Sequence, residues 1–144
     1  MKSNLHGTFG TNKVFEQEGV DFVVKGEEVI ESTGEKLPEV SFRLRRFVSS
    51  NPRVKSAMAQ YYKPFARQID MGTLPAEKGD ELAIRLFIDV CLVSWAGVLD
   101  EKNQPIECTK ENAYKLFKEL PDLFGTLQKY ANDFESYKDD VGNS

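Results

Sequence analysis

The sequence predicts an α+β fold, mainly helical, with an N-terminal antiparallel β-hairpin packed on a four-helix array around a buried central helix. Two early runs alternate between apolar and polar residues, which is typical of strands. Later segments repeat apolar residues at helical spacing, and the segment at 80–95 is apolar almost all round. At 144 residues the chain has the length of one domain.

The central helix is predicted at about residues 80–95. Glu81, Arg85 and Asp89 lie four residues apart, so on a helix they form one narrow polar stripe and resemble a surface ion ladder. Nearly all other positions up to Trp95 are apolar. We therefore expect neighbouring elements to cover this helix on most sides.

The N-terminal part divides into a flexible arm at residues 1–12 and a β-hairpin within 13–48, where the single globular domain of 13–138 begins. The arm is polar and glycine-containing, and it resembles a frayed terminus, although Phe9 offers an anchor for docking onto a neighbour. The two strands are marked by apolar alternation at Val20, Phe22 and Val24, and again at Val40, Phe42 and Leu44. Between them, Val29 and Ile30 suggest a short third strand before a turn at Ser32–Gly34.

Four helices follow, at 51–69, 80–95, 109–120 and 121–138, and 139–144 form a polar tail. Asn51 and Pro52 form a strong helix start, and Pro64 should bend or split that helix. Turn-forming residues at 100–105 predict a reversal in which Asn103 adopts a left-handed conformation. Thr109 is expected to cap the third helix and Pro121 to begin the fourth.

Composition excludes several functional classes. The net charge of −4 gives no general attraction to nucleic acid or anionic membranes. The first thirteen residues lack the apolar core of a signal peptide, and the central helix carries charges and is too short for a membrane span. We expect a soluble protein in which Cys91 and Cys108 are reduced thiols.

No catalytic, cofactor or metal site is predicted, and we do not expect an enzyme. His6 is the sole histidine and lies in the arm, without a rigid setting for nucleophilic or metal chemistry. Glu81 and Asp89 are two turns apart with Arg85 between them, which does not suit an acid and base pair.

Two surfaces remain as candidates for binding. A possible basic contact patch consists of Arg43, Arg45, Arg46 and Arg53, which either receives a carboxylate-rich partner or phosphates, or is a solvated strand face. The second surface is aromatic, because the last helices carry Tyr114, Tyr130, Phe134 and Tyr137. These rings either meet another protein or close the core over Trp95 and Phe87.

Three stretches, taken together, resemble the tail assembly chaperones of long-tailed bacteriophages of the siphovirus type. The first comprises Arg45–Phe47, Ser50–Pro52, Pro64–Ile69 and Gly72–Leu74. The second is Trp95–Val98 with Asp100, Glu101, Gln104 and Pro105, and the third is Thr109–Phe117 followed by Leu120–Phe124. Order and spacing are similar from about Gly7 to Asp140, with a longer link at Glu27–Pro38 and asparagine at 103, where relatives often carry glycine.

The resemblance implies a protein that binds the tape measure protein, keeps it soluble and promotes assembly of tail tube subunits around it. It also implies self-association, a location in the host cytoplasm and absence from the mature virion. The alternative is a structural tail component, such as a tube or terminator subunit, retained in the virion. On the chaperone reading, the partner-binding surface is formed or gated by Trp95, Leu116, Phe117, Leu120, Leu123, Phe124 and Leu127.

Overall fold

The computed structural model describes residues 3–138 and confirms a mainly helical α+β fold. The helices in that range are α1 (His6–Phe9), α2 (Lys13–Glu18), α3 (Pro52–Tyr62), α4 (Ala66–Met71), α5 (Ala76–Val90), α6 (Lys110–Glu119) and α7 (Pro121–Asn132). The strands are β1 (Val20–Lys25), β2 (Glu28–Val29), β3 (Lys36–Leu37), β4 (Val40–Leu44) and β5 (Leu92–Ala96). The predicted polar tail at 139–144 lies outside the described residues.

The main sheet has three antiparallel strands in the order β1-β4-β5. As predicted, β1 pairs with β4, and Phe22 lies opposite Phe42. On the other side of β4, Trp95 lies opposite Phe42. Phe42 and Leu44 are almost fully buried, so the central strand forms part of the hydrophobic core.

The predicted extent of the central helix is wrong at both ends, because α5 begins at Ala76, four residues before the predicted start. Helix α5 ends at Val90, and the residues from Leu92 to Ala96 form β5 instead. The reason is non-local. A hairpin of two strands is marginal by itself, and a third strand completes the hydrogen-bond ladder of β4. The backbone N–H of Arg45 also donates to the carbonyl of Cys91 at 2.7 Å, which fixes the exit from the helix beside the sheet.

The N-terminal segment contains helices that the sequence analysis did not predict. Within the predicted arm, residues 6–9 form the short, exposed helix α1. Asn12 caps α2 by accepting hydrogen bonds from the N–H groups of Val14 and Phe15, at 2.9 and 3.2 Å. Its own N–H donates to the carbonyl of Tyr137 at 2.8 Å, which joins the arm to the last turn of the described chain.

The short third strand at Val29 belongs to a separate ribbon. Strands β2 and β3 pair only with each other within the described chain, across the turn predicted at Ser32–Gly34. Both strands are largely exposed. The link between β1 and β4 is therefore a small hairpin of its own.

Local signals in the helical region are confirmed. Asn51 accepts a hydrogen bond from the N–H of Arg53 at 2.9 Å, and Thr109 accepts one from Asn112 at 3.1 Å. A 3₁₀ turn containing Pro64 separates α3 from α4, and Asn103 has a φ of 59°.

The last predicted helix is shorter than 121–138. Helix α7 ends at Asn132, and a 3₁₀ turn follows at Phe134–Tyr137. Asp133 causes this break by capping the turn, accepting a hydrogen bond from the N–H of Glu135 at 3.0 Å.

Two of the surplus aromatic residues close the core over β1. The ring of Tyr130 stacks on Phe22 with centroids 4.9 Å apart. Tyr137 is fully buried, and its hydroxyl donates to the carbonyl of Leu44 at 3.0 Å. Of the two alternatives, these rings therefore close the core, but they cover the sheet at Phe22 and not Trp95 and Phe87. Tyr114 lies under the guanidinium of Arg85, 4.4 Å from it.

Candidate functional site

An apolar groove of about 400 Å³ lies between the main sheet and the corner where α6 meets α7. Val24 and Val40 form its sheet wall, and Leu116, Leu120 and Leu123 form its helical wall. Lys25 and Asp100 are the charged residues among its lining. The groove is therefore suited to bury apolar side chains of a ligand.

A hydrogen-bonded loop closes one end of the groove. Gly97, Val98, Leu99, Asp100 and Asn103 contribute to the lining. The carboxylate of Asp100 accepts hydrogen bonds from the N–H groups of Lys102 and Gln104, at 2.8 and 3.0 Å, and so holds the reversal in place. Local turn chemistry thus sets the shape of this end.

The seven predicted partner-binding residues do not share one surface. Leu116, Leu120 and Leu123 line the groove, and Leu120 is 48% exposed. Phe117 and Leu127 are fully buried in the core instead.

Phe124 and Trp95 are half-buried and serve packing. The Phe124 ring lies 5.3 Å from Phe87 and 5.5 Å from Phe117, measured between centroids. The indole N–H of Trp95 donates to the carbonyl of Ile106 at 2.7 Å, and its ring meets Phe42 edge-on. Trp95 therefore packs behind Phe42 in the sheet wall, whereas Phe124 packs with rings of the core.

The sequence analysis missed the sheet wall of the groove. Val24 and Val40 belong to the alternating runs that predicted the hairpin, but alternation does not show which helix a strand face meets. Their pairing with the α6–α7 corner is a tertiary property.

The predicted basic patch is divided by the structure. Arg45, Arg46 and Arg53 line a second cavity of about 280 Å³, together with Glu16, Gln17, Asn51, Val54 and Val90. Arg43 is outside that lining; its Nη1 lies 3.4 Å from the Asp21 carboxylate and its Nε donates to the carbonyl of Glu18.

A buried ion pair forms one side of this cavity. The Glu16 carboxylate lies 3.1 Å from Nη1 of Arg46 and accepts a hydrogen bond from the hydroxyl of Thr11. Burial acts to raise the pKa of Glu16, but the hydrogen bonds from Thr11 and Arg46 and the charge of Lys13 outweigh it and hold the pKa below its usual range. Glu16 is therefore a carboxylate at neutral pH.

The predicted polar stripe on α5 is only partly a ladder. Glu81 pairs with Arg85 at 3.2 Å and with Lys78 at 2.9 Å. Asp89 instead pairs with Lys110 at 2.8 Å and accepts a hydrogen bond from the hydroxyl of Tyr61. Burial and the Asp89 hydrogen bond raise the pKa of Tyr61 to about 12. Through its contacts with Tyr61 and Lys110, Asp89 joins α5 to α3 and α6.

The described residues show little other reactive chemistry. Between residues 3 and 138, no group of three His, Cys, Asp or Glu side chains is placed to hold a metal ion. His6 is exposed and contacts Ser3. Cys91 is buried, and burial raises the pKa of its thiol. No helix in the described range is both long and apolar enough to cross a membrane.

A protein-family model matches most of the helical part of the chain. The model of a family described as YdaY prophage protein matches residues 49–143, about two thirds of the chain. The comparisons with curated proteins and with solved structures found no match. The matched region includes α3 to α7 and β5, and therefore the helical wall of the groove and Arg53. The chain belongs to the YdaY prophage protein family and is a bacteriophage-associated protein.

Proposed function

We propose that this protein is a phage tail assembly chaperone that binds the tape measure protein through the groove between the sheet and the α6–α7 corner. It keeps that long, apolar-rich protein soluble and promotes assembly of the tail tube around it. The apolar groove itself is the observation that carries the proposal. Membership of a prophage protein family and the resemblance to tail assembly chaperones support it.

The groove offers the chemistry that holding an apolar helix requires. A helix binds in such a groove by inserting side chains spaced three and four residues apart, while its polar face stays in water. Removing apolar surface from water contributes about 25 cal/mol per Å², so a few inserted side chains provide useful affinity without any catalytic group. Leu120 is exposed in the free protein and is positioned to be covered first.

Substitution of Leu120 tests the proposal most directly. Leu120 lies between α6 and α7, lines the groove and is 48% exposed, so Leu120→Asp should leave the core intact. Phe124→Asp would be a poorer test, because Phe124 packs against Phe87 and Phe117. The matched control is Ile69→Asp, which changes a residue that is 42% exposed on α4, outside the groove.

Each variant is co-expressed with tagged fragments of the tape measure protein from the same phage. We expect Leu120→Asp to weaken capture at least about tenfold, as burying an unpaired charge in an apolar groove requires, and Ile69→Asp to bind like wild type. Circular dichroism checks that both variants are folded. Equal capture by wild type and Leu120→Asp would overturn the groove assignment.

Location is tested separately. A chaperone of this kind acts in the host cytoplasm and is absent from finished particles. Mass spectrometry of purified virions should therefore lack the protein, while lysates of assembling cells contain it. If purified virions contain the protein in stoichiometric amount, the chaperone proposal is wrong and the protein is a structural tail subunit.

A further inference from the structure

We propose that the cavity lined by Arg45, Arg46 and Arg53 is an oxyanion-binding site that accepts one carboxylate or phosphate group. This site is separate from the apolar groove and does not depend on the chaperone proposal. It lies where α2, β4 and the start of α3 come together.

Positive charge exceeds negative charge in the lining. Three guanidinium groups share the cavity with one carboxylate, that of Glu16. Glu16 pairs with Arg46, whereas Arg45 donates its Nε only to the backbone carbonyl of Gln17, at 2.7 Å. Among the described residues, the Arg53 guanidinium has no hydrogen bond or ion pair. The guanidinium groups of Arg45 and Arg53 are thus left without a carboxylate partner.

Asp89, an acidic group near Arg53 outside the cavity, is already engaged. Asp89 lies within electrostatic range of Arg53 but pairs with Lys110 and Tyr61 and does not line the cavity. Arg45 and Arg53 are close enough to repel each other, and burial together with that repulsion lowers the pKa of Arg45. An anion between the two guanidinium groups would relieve this repulsion.

One buried donor of an arginine that lines this cavity lacks a partner. Nε of Arg46 is inaccessible to solvent and makes no hydrogen bond within the described structure, the only buried side-chain polar atom there with that property. Buried N–H donors are nearly always paired in folded proteins, so this one leaves the Arg46 guanidinium with unused hydrogen-bonding capacity. Guanidinium groups match the oxygens of carboxylate and phosphate.

The surroundings favour an anion further. Helix α3 begins at this cavity, with Asn51 at its cap, so the positive end of the helix dipole adds to the guanidinium charges. Val54 and Val90 are buried and apolar, which lowers the local dielectric and strengthens charge interactions. The cavity of about 280 Å³ has room for one small oxyanion.

Titration with two probes tests the site and distinguishes the sources of the oxyanion. The full chain, labelled with ¹⁵N, is titrated with inorganic phosphate and with N-acetylglutamate amide, at ionic strength held constant with potassium chloride. The arginine Nε–Hε signals are followed. We expect saturable shifts at Arg45 and Arg46; tighter phosphate binding indicates a phosphate ligand, and tighter carboxylate binding indicates an acidic side chain of a protein.

Two variants change affinity in opposite directions. Arg53→Gln, at an exposed position, should weaken binding about tenfold, the effect of losing one charge-assisted hydrogen bond. Glu16→Gln removes the competing carboxylate and should tighten binding several-fold. Arg67→Gln, an exposed helical arginine outside the cavity, is the matched control and should leave affinity unchanged.

The proposal fails if neither probe gives a saturable shift beyond that of chloride. It also fails if Arg53→Gln and Arg67→Gln bind the probes equally, because the arginines would then have only a packing role. Shifts in the wild type that Glu16→Gln does not strengthen would place the anion elsewhere.

Discussion

Replacing Gly97 by alanine should destabilise the fold strongly, because the backbone just after β5 approaches the backbone just before β4 very closely there. An added Cβ would lie 2.0 Å from the carbonyl oxygen and 2.9 Å from the carbonyl carbon of Glu39. Gly97 also has a φ of +80°, in the left-handed region that favours glycine. The substitution therefore carries both a conformational and a steric penalty.

The two penalties can be estimated separately. A non-glycine residue in the left-handed region costs about 1–2 kcal/mol. Forcing an atom into a filled space typically costs about 1–3 kcal/mol, and the neighbour here is backbone, which cannot rotate away. Gly97→Ala should thus lower the free energy of unfolding by about 2–5 kcal/mol, which lowers Tm by about 6–15 °C in a domain of this size.

Two other glycines provide matched controls, measured by thermal and urea unfolding with circular dichroism. Gly34 has a φ of +70° and nothing within 4 Å of an added Cβ, so Gly34→Ala carries the conformational penalty alone. Gly125 lies in α7 with open space around it and an ordinary helical φ, so Gly125→Ala should stabilise by about 0.5–1 kcal/mol.

The ranking of the three variants decides the question. We expect Gly97→Ala to be the least stable and Gly125→Ala the most stable. If Gly97→Ala falls within about 0.5 kcal/mol of Gly34→Ala, near the error of the method, the approach to Glu39 relaxes at no cost and the reasoning is refuted.

Two further predictions concern buried polar groups. Tyr137→Phe removes the hydrogen bond to the carbonyl of Leu44 and should lower the free energy of unfolding by about 1–2 kcal/mol. Urea unfolding measures this change, with Tyr114→Phe as the control. Equal stability of the two variants would contradict the prediction. Because the pKa of Glu16 is lower in the folded state than its ordinary 4.5, the unfolded chain binds more protons between the two values. The stabilisation from Glu16 is therefore complete above about pH 5 and disappears as pH falls through the folded pKa. Urea unfolding of Glu16→Gln should vary less with pH in the acid range, and an unchanged acid dependence would contradict this.

Features set by nearby residues were predictable from the sequence. Asn51 and Thr109 cap helices through bonds to residues two or three positions away. Asn103 adopts its left-handed conformation inside a turn held by Asp100. Pro64 ends α3 because proline lacks the N–H that the helix needs. Each of these depends on a few consecutive residues.

Features set by distant residues were not predictable. The apolar run from Leu82 to Trp95 fits one long helix, and only the unpaired edge of β4 makes its last part a strand. In the candidate site, the leucines at 116, 120 and 123 were identified, but Phe117 and Leu127 share their helix faces and point into the core. Helical periodicity cannot separate a groove from a core when both are apolar.

The region that the family model matches does not contain the whole hydrophobic core of this chain. It begins at residue 49 and so excludes β4, whose Phe42 and Leu44 are almost fully buried. Without β4, strand β5 would lose its only neighbour in the described sheet, and the core at Phe117 would lose the ring of Phe42.

Both candidate sites also cross this boundary. The groove combines the leucines of α6 and α7 with Val24 and Val40, and the basic cavity combines Arg53 with Arg45 and Arg46. The N-terminal hairpin therefore completes the core and both candidate sites, so we expect changes in residues 13–48 to alter the shape of these sites while the helical array stays the same.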